Sequence, residues 1–127
     1  ANEGTLAEQF VGQELLANNK AYLSPELFYW SREKKSSNAE VDFIFQHKNR
    51  IYPIEVKAGK TGTLKSMQIY MYEKKLYNGI RFNMDLPSYG NFKTNINTPN
   101  KNAELNWYLL SLPLYMVSEI RRIIDLL

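Results

Sequence analysis

The stretch DFIFQHKNRIYPIEVK, residues 42–57, decides how this chain folds and what chemistry it can carry. Apolar and polar positions alternate on both sides of a polar tetrapeptide. Between Ala39 and Gln46, Val41, Phe43 and Phe45 share one face, and Glu40, Asp42 and Ile44 the other. Between Ile51 and Lys57, Tyr52, Ile54 and Val56 oppose Pro53, Glu55 and Lys57. The pattern predicts two half-buried strands joined by a loop from His47 to Arg50, a hairpin length that sets Gln46 opposite Ile51. In that register Asp42 faces Glu55 and Glu40 faces Lys57 on one side. Val41 with Val56, Phe43 with Ile54 and Phe45 with Tyr52 then cover the other.

Two carboxylates directly opposite each other destabilise an antiparallel pair unless a cation shares the site. Oxygen donors of this kind suit a hard divalent ion, Mg²⁺ or Mn²⁺, which keeps several waters and acts on phosphate esters. Lys57, on the same face, could orient water or offset charge developing on a phosphoryl group. A lone Glu-x-Lys is more often a solvated face with a weak cross-strand ion pair, and Asp42 shifts that balance.

Asp42, the gap that follows it and Glu55-Val56-Lys57 resemble the core signature of the PD-(D/E)XK nuclease superfamily, the restriction-endonuclease-like fold. The position before the Asp, where the superfamily's name has proline, is Val41. The wider pattern comprises Gly4, Glu8, Val11, Tyr29-Trp30, Ala39 to Phe43, Pro53 to Gly59, Lys65-Ser66 and Leu112 to Tyr115. It resembles the nuclease-like domain at the C-terminus of many prokaryotic AAA-type ATP-binding proteins, over nearly the whole chain except residues 85–104. The resemblance implies Asp42, Glu55 and the backbone carbonyl of Val56 as metal ligands, Lys57 as the catalytic lysine, and Glu8 as an acid contributed by the first helix. Glu40 and Gln68 would be auxiliary, Gln68 with Tyr72 fitting the Q-x-x-x-Y pattern of RecB-like nucleases. It also implies that residues 1–127 are one domain, a C-terminal fragment whose ATPase portion lies N-terminal to it.

Glu8 has positional support of its own. On a helix over about residues 5–18 it shares a column with Val11 and Leu15, facing the core side, although an acid near a helix N-terminus is also favoured by the macrodipole. The remaining order reads as strand 27–30, strands 39–46 and 51–57, helix 63–77 ended by Asn78-Gly79, strand 79–84, strand 105–111 and helix 113–126. This is an α/β (α+β) chain with an αβββαβ core, a mixed sheet flanked by helices, and one further strand and helix. In the last helix Val117, Ile120, Ile124 and Leu127 form an apolar stripe, with Arg121 and Arg122 off it. Residues 85–104, rich in Asn, Pro and Gly, read as a long flexible loop. Tyr89, Phe92 and Lys93 within it could stack on and pair with a single strand. His47, the only histidine, falls in the hairpin turn, too far from the acids to act as their base.

Composition narrows the field without choosing. No long apolar run suggests a membrane span, no signal peptide opens the chain, and with zero cysteines there are no disulfides or thiolate metal sites, as suits a cytoplasmic protein. A net charge of +3 is compatible with nucleic acid but smaller than the footprint of a dedicated duplex binder. No Walker-type Gly-rich loop is present, so ATP hydrolysis is not expected from these residues. Two functions remain: a Mg²⁺- or Mn²⁺-dependent nuclease acting on DNA or RNA phosphodiesters, and a catalytically weak or silent domain that docks or senses nucleic acid for a parent ATPase.

Overall fold

The hairpin forms in the expected register. In the computed structural model, which describes residues 3–17, 27–28, 41–59, 63–99 and 101–127, Phe43 pairs with Ile54, Phe45 with Tyr52 and Gln46 with Ile51. The loop is shorter than the polar tetrapeptide suggested. His47 and Arg50 pair with each other, and Lys48 and Asn49 alone turn the chain with φ of 50° and 65°. Positive φ at both central residues is the two-residue hairpin geometry whose twist matches that of the strands. Shortening the loop symmetrically leaves the register unchanged.

Ten elements follow in chain order: α1 (Glu3–Ala17), β1 (Leu27–Phe28), β2 (Phe43–His47), β3 (Arg50–Val56), α2 (Lys65–Lys74), β4 (Asn78–Asn83), β5 (Ser88–Thr98), β6 (Lys101–Pro113), a 3₁₀ turn (Leu114–Glu119) and α3 (Ile120–Asp125). The strands make one six-stranded mixed sheet in the order β1-β2-β3-β4-β6-β5. β3, β4 and β6 run parallel, and the β1–β2, β2–β3 and β5–β6 pairs are antiparallel. The αβββαβ order is therefore present, within an α/β architecture.

Each face of the sheet has its own core. On one, Val11 and Leu15 of α1 and Val117, Ile120 and Ile124 near the C-terminus pack on Phe43, Phe45, Ile54, Ile80, Phe82, Leu110 and Leu112. On the other, Leu64, Met67, Tyr70 and Met71 of the α2 region pack on Ile44, Ile96, Leu105, Trp107 and Leu109. Fully burying a side chain of this size stabilises by about 1.5–3 kcal/mol, so the two layers together outweigh any polar contact described below. α2 comes close because β4 carries Gly79. A Cβ there would lie 2.6 Å from the Met67 sulfur and 3.2 Å from that of Met71.

Several boundaries differ from the sequence reading for identifiable reasons. α2 stops at Lys74, not at Asn78-Gly79, because Lys75 takes the left-handed conformation with φ 58°. The N–H of Leu76 then bonds the carbonyl of Met71, and the N–H of Lys75 that of Tyr72, a Schellman closure built without glycine. The last helix is split into a 3₁₀ turn and α3, and Leu127 is exposed. Arg121 is not simply solvated, since its guanidinium lies 4.8 Å from the centre of the Phe45 ring.

The larger correction concerns residues 85–104, which are not a flexible loop. β5 and β6 pair in unbroken register from Ser88–Ser111 to Thr98–Lys101. Asparagine and glycine are weak strand formers, which hides β5 in the sequence, but Ile96 is buried beneath α2 and the Trp107 indole donates to the Thr94 hydroxyl at 3.0 Å. Tyr89 and Phe92 stand on opposite faces of β5: Tyr89 stacks on Tyr108 at 5.5 Å and Phe92 tilts against Trp107 at 5.6 Å. They therefore do not form one stacking patch.

Candidate functional site

The site begins where β2 starts. The N–H of Asp42 bonds the carbonyl of Ile54 at 3.1 Å, although Ile54 is already opposite Phe43. Two residues against one is the arrangement of a β-bulge, which re-aims the side chains before it. Val41 accordingly packs with Ile44, Leu64 and Met67 on the α2 side, while Val56 packs on the α1 side. The expected Val41–Val56 pair does not form. Nor is Asp42 placed directly opposite Glu55, because the paired ladder ends at Phe43.

The bulge instead sets Asp42 against the backbone beside Glu55. Its Oδ2 accepts the N–H of Val56 at 2.8 Å, so the carboxylate sits on the peptide that joins Glu55 to Val56. Backbone groups alternate direction along a strand. Lys57 donates its N–H to Phe82 of β4 at 2.8 Å, so Val56 turns both its N–H and its carbonyl toward β2 and Asp42. Glu55 is only 9% exposed, its side chain on the α2 face. The backbone carries half-buried Lys57 to that same face, one turn of pleat beyond.

The donor chemistry fits a hard divalent cation. A carboxylate offers about four lone-pair sites, so one N–H bond leaves Asp42 with ligating capacity. Asp42, which accepts from the Val56 amide, Glu55 and the Val56 carbonyl are all oxygen donors carried on or bonded to one stretch of backbone. Mg²⁺ commonly takes one or two carboxylates and completes its shell with water. Among the described residues no three of His, Asp and Glu are close enough together to hold a metal. Glu8, half-buried, instead lines a cleft of about 310 Å³ with Thr5, Gln9, Gly12, Gln13, Leu16 and Phe43. Its helix column was read correctly, since Val11 and Leu15 are buried. Gln68 lies half-buried in the first turn of α2, its N–H bonded to the Leu64 carbonyl at 2.9 Å. Glu40 lies outside the described residues, as do residues 31–38.

His47 is indeed removed from the acids. Its Nε2 bonds Asp125 at 2.9 Å, and Lys48 Nζ approaches the same carboxylate at 3.1 Å. The hydrogen bond from His47, then that from Lys48, holds the Asp125 carboxyl below its usual range. This cluster fastens the hairpin tip to α3.

Sequence reasoning missed two residues beside the acids. Arg81 is the cross-strand partner of Glu55, and Ser111 is the partner of Arg81. The alternation Ile80-Arg81-Phe82-Asn83 held the signal, because it sets a charged residue on the helix-covered face of a strand next to Glu55. Among the described residues no helix is long and apolar enough to cross a membrane. No curated protein matches the sequence. A family model described as a domain of unknown function, DUF4143, matches residues 3–115, nearly the whole chain, and the chain therefore belongs to that family.

Proposed function

We propose that this chain is a PD-(D/E)XK-type, metal-dependent nuclease-like domain that hydrolyses phosphodiester bonds of DNA or RNA. The observation that carries the reading is the Asp42 carboxylate seated at 2.8 Å on the Glu55–Val56 peptide, with Lys57 on the same strand end. Asp42, Glu55 and the Val56 carbonyl would hold Mg²⁺ or Mn²⁺, which when bound supplies Lewis acidity and an activated water. The remaining roles belong to this chain. Val56 N–H fixes the Asp42 carboxylate, the sheet and α2 keep Glu55 out of bulk water, and the Lys57 ammonium stands ready to offset charge on the phosphoryl oxygens. Glu8, which lines its own cleft with Phe43, is assigned a supporting place and not a ligand's.

The test is cleavage by the purified protein of single- and double-stranded DNA and RNA with Mn²⁺, beside an EDTA control. Lys57→Ala should lose most turnover while keeping metal binding, because it acts on transition-state charge and not on the ion. Cleavage that survives in both Lys57→Ala and Asp42→Ala would remove the support for the enzyme reading. A second reading, a silent docking or nucleic-acid-sensing module of a parent AAA-type ATPase, is favoured by one observation: Asp42 and the Val56 amide already satisfy each other, as a structural cap would. It predicts nucleic-acid or ATPase binding that is indifferent to Lys57→Ala.

A further inference from the structure

Glu55, Arg81, Ser111 and Ser88 occupy one row across β3, β4, β6 and β5, on the face that α2 covers. Ser111 is 1% exposed and Arg81 half-buried. Nε of Arg81 donates to the Ser111 hydroxyl at 3.0 Å, which fixes the plane of the guanidinium from behind. A half-buried arginine normally meets a carboxylate, yet among the described residues Ser111 is the one side-chain partner of Arg81. Among the same residues no buried side-chain nitrogen lacks a partner. The two terminal nitrogens of Arg81 therefore reach solvent, carrying four N–H donors in a fork already oriented by its root.

We infer that Arg81 is a phosphate-binding residue of the proposed site, gripping a backbone phosphate of the nucleic acid next to the bond held between Asp42, Glu55 and Lys57. The inference rests on the nuclease-like reading and names what that site grips. A guanidinium matches two phosphate oxygens with two parallel N–H bonds, which an ammonium cannot do. Its place suits the task, in the carboxyl-terminal part of three parallel strands, outside whose ends ligands of open α/β sheets bind. Beside Glu55 it also offsets the negative charge that repels an approaching polyanion. Ser111 is the positioning residue, acting through Arg81 and touching no substrate.

The experiment measures binding of fluorescein-labelled single- and double-stranded DNA by anisotropy across a salt series, with Ca²⁺ replacing Mn²⁺, and cleavage with Mn²⁺ in parallel. Arg81→Gln should weaken binding about tenfold and lower the salt slope by about 0.7–0.9, the loss of one phosphate contact. Arg81→Lys should keep the slope while losing a few-fold in affinity, and Ser111→Ala should do the same, a pattern that simple destabilisation of the fold does not give. Thermal melts identify any variant that fails to fold, and Ser111→Ala, the mildest change, still discriminates in that event. Binding with an Arg81-dependent slope but no cleavage sustains the assignment and sinks the nuclease. Cleavage in which Arg81→Gln changes neither affinity nor slope overturns the assignment and leaves the nuclease standing. A wild type that binds neither DNA nor, in the same assay, labelled RNA overturns the assignment outright.

Discussion

Replacing Asp42 by alanine and by asparagine separates two jobs that one carboxylate performs. Its Oδ2 accepts the Val56 N–H at 2.8 Å in a half-buried setting. Alanine leaves that N–H without its acceptor, which costs about 1–3 kcal/mol. Asparagine keeps an acceptor oxygen and loses only the charge assistance, about 1 kcal/mol. Unfolding entropy of about 2.1 cal/mol/K per residue over 127 residues makes 1 kcal/mol worth about 4 °C. Asp42→Ala should therefore lower Tm by about 8 °C, and Asp42→Asn by no more than about 4 °C. Mn²⁺ at ten times its Kd should add about 1.4 kcal/mol, or about 5 °C, to the wild type and nothing to either variant. Scanning calorimetry with and without Mn²⁺ reads all six values. An alanine variant that melts with the wild type would mean the Val56 bond does not hold the strand end. An asparagine variant that responds to Mn²⁺ like the wild type would remove Asp42 from the ligand set.

Three further outcomes follow from the packing and the charges. Gly79→Ala should lower Tm by about 4–8 °C, the 1–3 kcal/mol of overpacking against the Met67 and Met71 sulfurs less the unfolded-state gain, and the same substitution made in a Met67→Ala background, itself destabilised by the lost burial, should cost much less. Lys75→Gly should raise Tm by about 2–4 °C by relieving the left-handed residue that closes α2, and a lower Tm would contradict that conformation. Because the Asp125 carboxyl is held below its usual range, its contribution is present above a carboxyl pKa of about 3.9 and fades as pH falls through the lowered value. Melts from pH 7 to pH 2.5 should show the wild type above Asp125→Asn at neutral pH and level with it in acid; a gap that persists in acid would refute the His47–Lys48–Asp125 contact.

Alternation made the hairpin legible because Phe43, Phe45, Tyr52 and Ile54 must all reach one core, which leaves a single register. Glu55 and Lys57 were legible for the same reason. Asp42 was found as a residue but not as a geometry, since periodicity assumes an unbroken strand and a bulge leaves no mark in composition. β5 was invisible because its asparagines face water and its few apolar residues gain their value from Trp107, Leu105 and α2, partners remote in sequence. Arg81 was overlooked for a different cause: its role depends on which strand lies next to β3, and β4 reaches that place only through the α2 crossover.

The bulge at Asp42 acts as a phase shifter for anything engineered or compared along this strand. Counted from Phe43 onward, odd positions belong to the α1 layer; at Val41 the same parity belongs to the α2 layer. A third acid introduced at Val41, in the hope of completing an ion's shell, would enter among Leu64, Met67 and Met71, a dry pocket that would reject its charge. Deleting one residue at the bulge would restore even alternation and carry the acid away from the Val56 amide. Relatives that differ in length at this point should therefore be aligned by layer and not by residue count.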